Sequence, residues 1–139
     1  MTKKKRRPYS DETVPLKLAV LDEEYAIHRF SPAKDIPSSV FQNDFFSITR
    51  TDEELSILCS ARISLPSEKS EKGWACIKTL GPLDFALTGI LAKISGILAE
   101  AEISIFTLST YDTDYILVKT DKVATAKKAL EKAGYVFEN

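Results

Sequence analysis

The most constraining feature of this sequence is the order of its hydrophobic periods between residues 74 and 138. "WACIKTL" (74–80) is an apolar, β-rich run halted by Gly81 and Pro82, and so reads as a strand. From Phe85 to Ala101 the apolar residues recur at Leu87, Ile90, Leu91, Ile94, Ile97, Leu98 and Ala101. That i, i+3, i+4, i+7 spacing marks one buried face of a helix. "ISIFTLS" (103–109) and "YILVKT" (115–120) read as strands around the polar turn "TYDTD". Asp121 suits the N-cap of a second helix over 122–133, with Val123, Ala126, Leu130 and Ala133 facing inward. Gly134 suits the position just past that helix, and "YVFE" (135–138) is a last strand. The order β-α-β-β-α-β predicts an α+β, ferredoxin-like unit over 74–139. Right-handed crossovers place both helices on one face of a four-stranded antiparallel sheet.

The first half follows a different order. "LKLAVL" (16–21) and "YAIHRF" (25–30) read as a hairpin around Asp22–Glu24, and "PSSVFQN" (37–43) as one short helix capped by Ser38 or Ser39. "FFSITRT" (45–51) and "LSILCSARISL" (55–65) form a second hairpin around Asp52–Glu54. The expected layout is a disordered basic tail over 1–13, a ββαββ subdomain over 14–66 that is a degenerate copy of the other, and a linker over 67–73. The linker lies within the polar stretch "LPSEKSEKG" (65–73).

Charge and motifs narrow the function classes. The net charge is −1, and five of the 19 basic residues sit in Lys3–Arg7, which leaves the remainder acidic and without a field to hold nucleic acid. No apolar core follows those charges, so no signal peptide is read there, and Lys93 and Glu100 interrupt the one long apolar stretch. Cys59 and Cys76 lie in apolar runs and read as reduced core residues of a cytoplasmic protein. His28 is the single histidine; it reads as a surface or edge-strand residue with no metal-ligand spacing around it. Neither a nucleophile elbow nor a phosphate-binding loop is present, and the paired carboxylates stand at hairpin tips. The chain therefore reads as a non-enzyme without cofactor or metal. RNA binding on a ferredoxin-like sheet needs aromatic residues at the strand centres, which are aliphatic here.

Two runs carry candidate binding chemistry. In "LGPLDFALTGIL" (80–91) the loop enters the helix through Gly81, Pro82, Leu83, Asp84, Phe85, Thr88 and Gly89. A helix N-terminus offers unpaired N–H groups to a carboxylate, and glycines let a ligand approach the backbone. Asp84 faces an ammonium or guanidinium group in this reading, or is a plain N-cap in the alternative. In "LSTYDTDYILV" (108–118), Ser109, Thr110, Asp112, Thr113 and Asp114 make a polar rim, or simply a hydrogen-bonded turn.

The segment "GPLDFALTGILAKISGILAEAEISIFTLSTYDTDYILVK" (81–119) resembles the ACT domain of the type found with aspartate kinases and arginine sensors. The first half resembles the companion ACT-like subdomain of tandem proteins more loosely. The resemblance implies a regulatory module that binds a small molecule, usually an amino acid, at an interface beside the loop entering the first helix. It also implies a pseudo-dimer or homodimer and a separate protein chain as regulated target, with no membrane or nucleic-acid partner. The alternatives are a ligand-free pairing module and an RNA-binding ferredoxin-like domain.

Overall fold

The computed structural model describes residues 16–80 and 89–139. The basic tail read over 1–13 and the loop residues Gly81 to Thr88 lie outside them. The chain divides into two compact units, one built from residues 16–21 and Cys76–Asn139 and the other from Asp22–Ala75.

The first unit contains β1 (Lys17–Val20), the end of β5 (Lys69–Thr79), α1 (Ile90–Glu100), β6 (Ile105–Ser109), β7 (Asp114–Lys119), α2 (Val123–Lys132) and β8 (Val136–Phe137). Its helices pack on the sheet through Ile90, Ile94 and Leu98 from α1 and Ala126 and Leu130 from α2. These meet Leu18, Ile77, Ile116 and Val118 from the strands, so the period read between 85 and 101 does select the buried face. The unit has the α+β, ferredoxin-type arrangement, with one added strand.

That addition is β1. It pairs antiparallel with β5 (Leu18↔Thr79, Val20↔Ile77) and parallel with β8 (Leu18↔Phe137). The order is therefore β6-β7-β5-β1-β8, five strands where four were expected. The hairpin read between 16–21 and 25–30 does not form. Leu18 is fully buried in the helix-covered core, and that burial outweighs the short loop closure a hairpin would offer. The Asn139 side chain extends the pairing, accepting from Val20 N–H at 3.0 Å and donating to Val20 C=O at 2.7 Å.

Both helices stop in the same way. After α1, Glu102 N–H donates to Ala99 C=O (2.9 Å) and Ile103 N–H to Leu98 C=O (3.0 Å); after α2, Gly134 and Tyr135 repeat the pattern to Glu131 and Leu130. These are Schellman closures, which require a left-handed residue at Glu102 (φ 61°) and Gly134 (φ 105°). Asp121 is not the cap of α2. It lies in a 3-10 turn over Thr120–Lys122, and Lys122 holds the cap position without a side-chain bond.

The second unit has strand order β3-β4-β2-β5, from β2 (Tyr25–Phe30), β3 (Ser47–Arg50), β4 (Leu55–Ser60) and the start of β5. Its short helix is a 3-10 helix over Ser38–Gln42 with Pro37, not a serine, at the cap. The β3–β4 hairpin forms as read, closed by Thr51 Oγ1 accepting from the N–H groups of Glu53 and Glu54, each at 3.1 Å. Strand β4 ends at Ser60, and β5 begins at Lys69, inside the stretch read as a linker. Residues 69–72 are exposed and polar, and backbone pairing to β2 makes them a strand. One extra β5 residue is accommodated near Gly73, whose φ of 80° is one glycine adopts freely. The core is Phe30, Val40, Leu55, Ile57 and Cys59.

Candidate functional site

The site is built where β5 ends and the β6–β7 turn begins. Thr110 N–H donates to Thr113 C=O at 2.8 Å, and Thr113 N–H donates back to Thr110 Oγ1 at 3.2 Å. This reciprocal bonding closes the turn, and Ser109 and Asp114 face each other across it as a strand pair. Ser109 Oγ donates to Asp114 Oδ1 at 2.5 Å, a charge-assisted bond that fixes one carboxylate oxygen. Asp114 itself is half-buried, and Asp112 is exposed at the tip. Next along β7, burial first, then Cys76 and Asp112, pushes the Tyr115 phenol above its ordinary range, so it keeps its proton at neutral pH.

Thr79, which the sequence reading passed over, ties this turn to β5. Its side chain is fully buried, and its hydroxyl meets that of Thr113, which is 6% exposed. Thr79 Oγ1 also accepts from Asp114 N–H at 3.1 Å. The available signal was a polar residue sharing the inward parity of Ile77, immediately before Leu80 and Gly81.

Of the residues singled out from sequence, Ser109, Thr110 and Asp114 are thus brought into one hydrogen-bonded cluster, with Asp112 beside it. Gly81, Pro82, Leu83, Asp84, Phe85 and Thr88 lie outside the described residues. Gly89 is the N-cap of α1, with φ 82° and no side-chain cap bond. Its backbone is left-handed, a geometry that glycine adopts freely. Helix α1 is described from Ile90, and the residues before Gly89 that the spacing reads as helix lie outside the described residues.

His28 corrects another expectation. It is 3% exposed in β2, which is paired on both sides, by β4 and β5. Its Nδ1 bonds Ser67 Oγ at 2.8 Å, and its buried Nε2 has no hydrogen-bond partner. Burial, with Lys72 adding, lowers its pKa, so the ring is neutral in the folded chain. Trp74 likewise lies within β5 rather than at its end. Both cysteines are free and buried.

An ACT domain model matches residues 69–132. The chain carries an ACT domain. A second model, describing an N-terminal domain, matches residues 23–67, close to the unit Asp22–Ala75. This ACT protein is similar to the crystal structure of protein Atu0741 from Agobacterium tumefaciens, at 37% identity over 89% of this chain and 92% of that one, with a TM-score of 0.81. It is 29% identical to the cytosolic arginine sensor for mTORC1 subunit 1 of Pongo abelii, over 87% of this chain and 40% of the relative. The chain thus spans less than half the length of that curated relative. The regulatory subunit of aspartate kinase from Thermus thermophilus shares the fold, with a TM-score of 0.63 at 12% identity over 84% of this chain and 96% of that one.

Proposed function

We propose that this ACT protein is a non-catalytic regulatory module that binds a free amino acid between the residues following β5 and the β6–β7 turn. The observation that carries the reading is the Asp114 carboxylate. One oxygen is held by Ser109, the adjacent backbone is tied to Thr79, and the group remains half-exposed. A pre-oriented carboxylate of this kind suits an ammonium or guanidinium group, because its orientation is fixed before the ligand arrives. The ligand's own carboxylate is assigned to the N-terminal end of α1, beside Gly89 and the segment Gly81, Pro82, Leu83, Asp84, Phe85 and Thr88. Ser109, Thr110 and Asp112 complete the rim.

The similarity to an arginine sensor and to a kinase regulatory subunit supports this class of function and makes L-arginine the first ligand to try. The regulated target is a separate chain in this reading, and the ligand acts by preferring one arrangement of paired modules over another. A thermal-shift screen against the twenty amino acids tests it. A ligand at 100 times its Kd adds about 2.7 kcal/mol of stability. The expected result is a shift with one amino acid that Asp114→Asn abolishes. If none of the twenty shifts the midpoint, the module is a ligand-free pairing element.

A further inference from the structure

Two buried hydroxyls, Thr79 at the end of β5 and Thr113 in the β6–β7 turn, call for an explanation, since burying a polar group is unfavourable unless it is bonded. Valine fills nearly the same volume as threonine and is the ordinary choice at such a position. Proton accounting shows what the hydroxyls do here. Thr113 Oγ1 donates its proton to Thr79 C=O at 2.5 Å. Thr79 Oγ1 accepts from Asp114 N–H at 3.1 Å, and its own proton lies between Thr113 Oγ1 and Asp114 C=O, the latter at 3.1 Å. Every bond joins Thr79, the last residue of β5, either to Thr113 in the turn or to Asp114, the first residue of β7. Asp114 is the residue whose carboxylate Ser109 orients, and Thr79 stands two positions before Gly81.

We propose that Thr79 and Thr113 are a positioning pair, locking the β6–β7 turn to the end of β5 so that the Asp114 carboxylate is held in place before the amino acid arrives. This rests on the amino-acid reading above. Neither threonine touches the ligand; Thr79 acts through the Asp114 backbone, and Thr113 through Thr79. The pair therefore governs affinity through pre-organisation, and its loss raises Kd without removing a ligand contact.

The test compares full-length wild type with Thr79→Val, Thr79→Ser and Thr113→Val. Amide hydrogen exchange is followed at Thr113 and Asp114, and affinity is measured for whichever of the twenty amino acids shifts the wild type. In Thr79→Val the Asp114 amide is expected to exchange at least tenfold faster and Kd to rise at least tenfold. Thr79→Ser restores both to within about threefold, because serine keeps the hydroxyl. Thr113→Val, which leaves the Asp114 acceptor in place, gives an intermediate effect and serves if Thr79→Val does not fold. Unchanged exchange, or unchanged affinity in a folded variant, overturns the proposal. If the wild type binds no amino acid, the functional reading fails by itself. The exchange data then still decide whether the pair holds the turn: unchanged rates overturn the proposal, and faster rates sustain it.

Discussion

Glu102→Gly should stabilise this protein, and the reason is visible in how its two helices end. Glu102 and Gly134 occupy equivalent positions past α1 and α2, each followed by the same two closing bonds. Glu102 is exposed and holds φ at 61°, so its side chain contributes no burial while its backbone sits where L-residues are strained. A left-handed non-glycine residue costs about 1–2 kcal/mol. Glycine relieves that, and its larger unfolded-state freedom takes back about 0.5–1 kcal/mol. The net gain is about 0.5–1 kcal/mol, with a small added benefit from removing a negative charge at a helix C-terminus. For a chain of 139 residues that amounts to a midpoint increase of about 2–4 °C. Gly134→Ala is the mirror experiment. A Cβ at Gly134 meets nothing within 4 Å, so any loss is backbone strain at φ 105° and not a clash. That loss is expected at about 1–2 kcal/mol. Glu102→Ala separates charge from backbone, since it removes the carboxylate and keeps the strain; it should change the midpoint little. Thermal unfolding followed by far-UV circular dichroism reads all three. A lower midpoint for Glu102→Gly, or a higher one for Gly134→Ala, would refute the argument.

Two further outcomes follow from buried titratable groups. His28 has a folded-state pKa below its ordinary value, through burial and then Lys72, so the unfolded chain binds more protons. Stability should be fully present above the unfolded value of about 6.5 and fall as pH drops below it. Thermal midpoints between pH 7.5 and 5 should decline more steeply for wild type than for His28→Leu, and equal slopes would remove His28 from the account. Burial pushes the Cys76 thiol up to about 12, and it raises Cys59 as well. Neither should be alkylated by iodoacetamide at pH 8 until urea unfolds the chain, as mass spectrometry of the modified protein would show.

Much of the first unit is legible in the sequence because its signals are local. Ile90, Ile94 and Leu98 recur at helical spacing, Gly134 marks an end, and the strand–turn–strand run around Asp112 alternates in the ordinary way. The same local signals place Ser109, Thr110 and Asp114 in a turn. They do not reveal Thr79, because a threonine in a strand looks alike whether its hydroxyl meets water or a second buried threonine 34 positions away. Nor do they reveal the left-handed Glu102, whose residue type gives no hint of φ. His28 was misread for a related reason: its burial depends on β5 pairing along β2 and on Ser67 supplying a bond, and both lie about forty residues further on.

Strand β1 shows the division most clearly. Residues 16–21 are strand-forming on composition alone, and the polar Asp22–Glu24 that follows is a turn by any local rule. What composition leaves open is the partner, since backbone N–H and C=O groups pair without regard to side chain. Local chain closure favours β2, whereas the tertiary structure sets Leu18 between Thr79 and Phe137, under the helices. The sequence by itself determined most of the strands and helices and which faces are apolar, but not the polar start of β5 at Lys69. Only the assembled core decided which strands meet, because burying Leu18 completely is worth more than the entropy saved by a short loop.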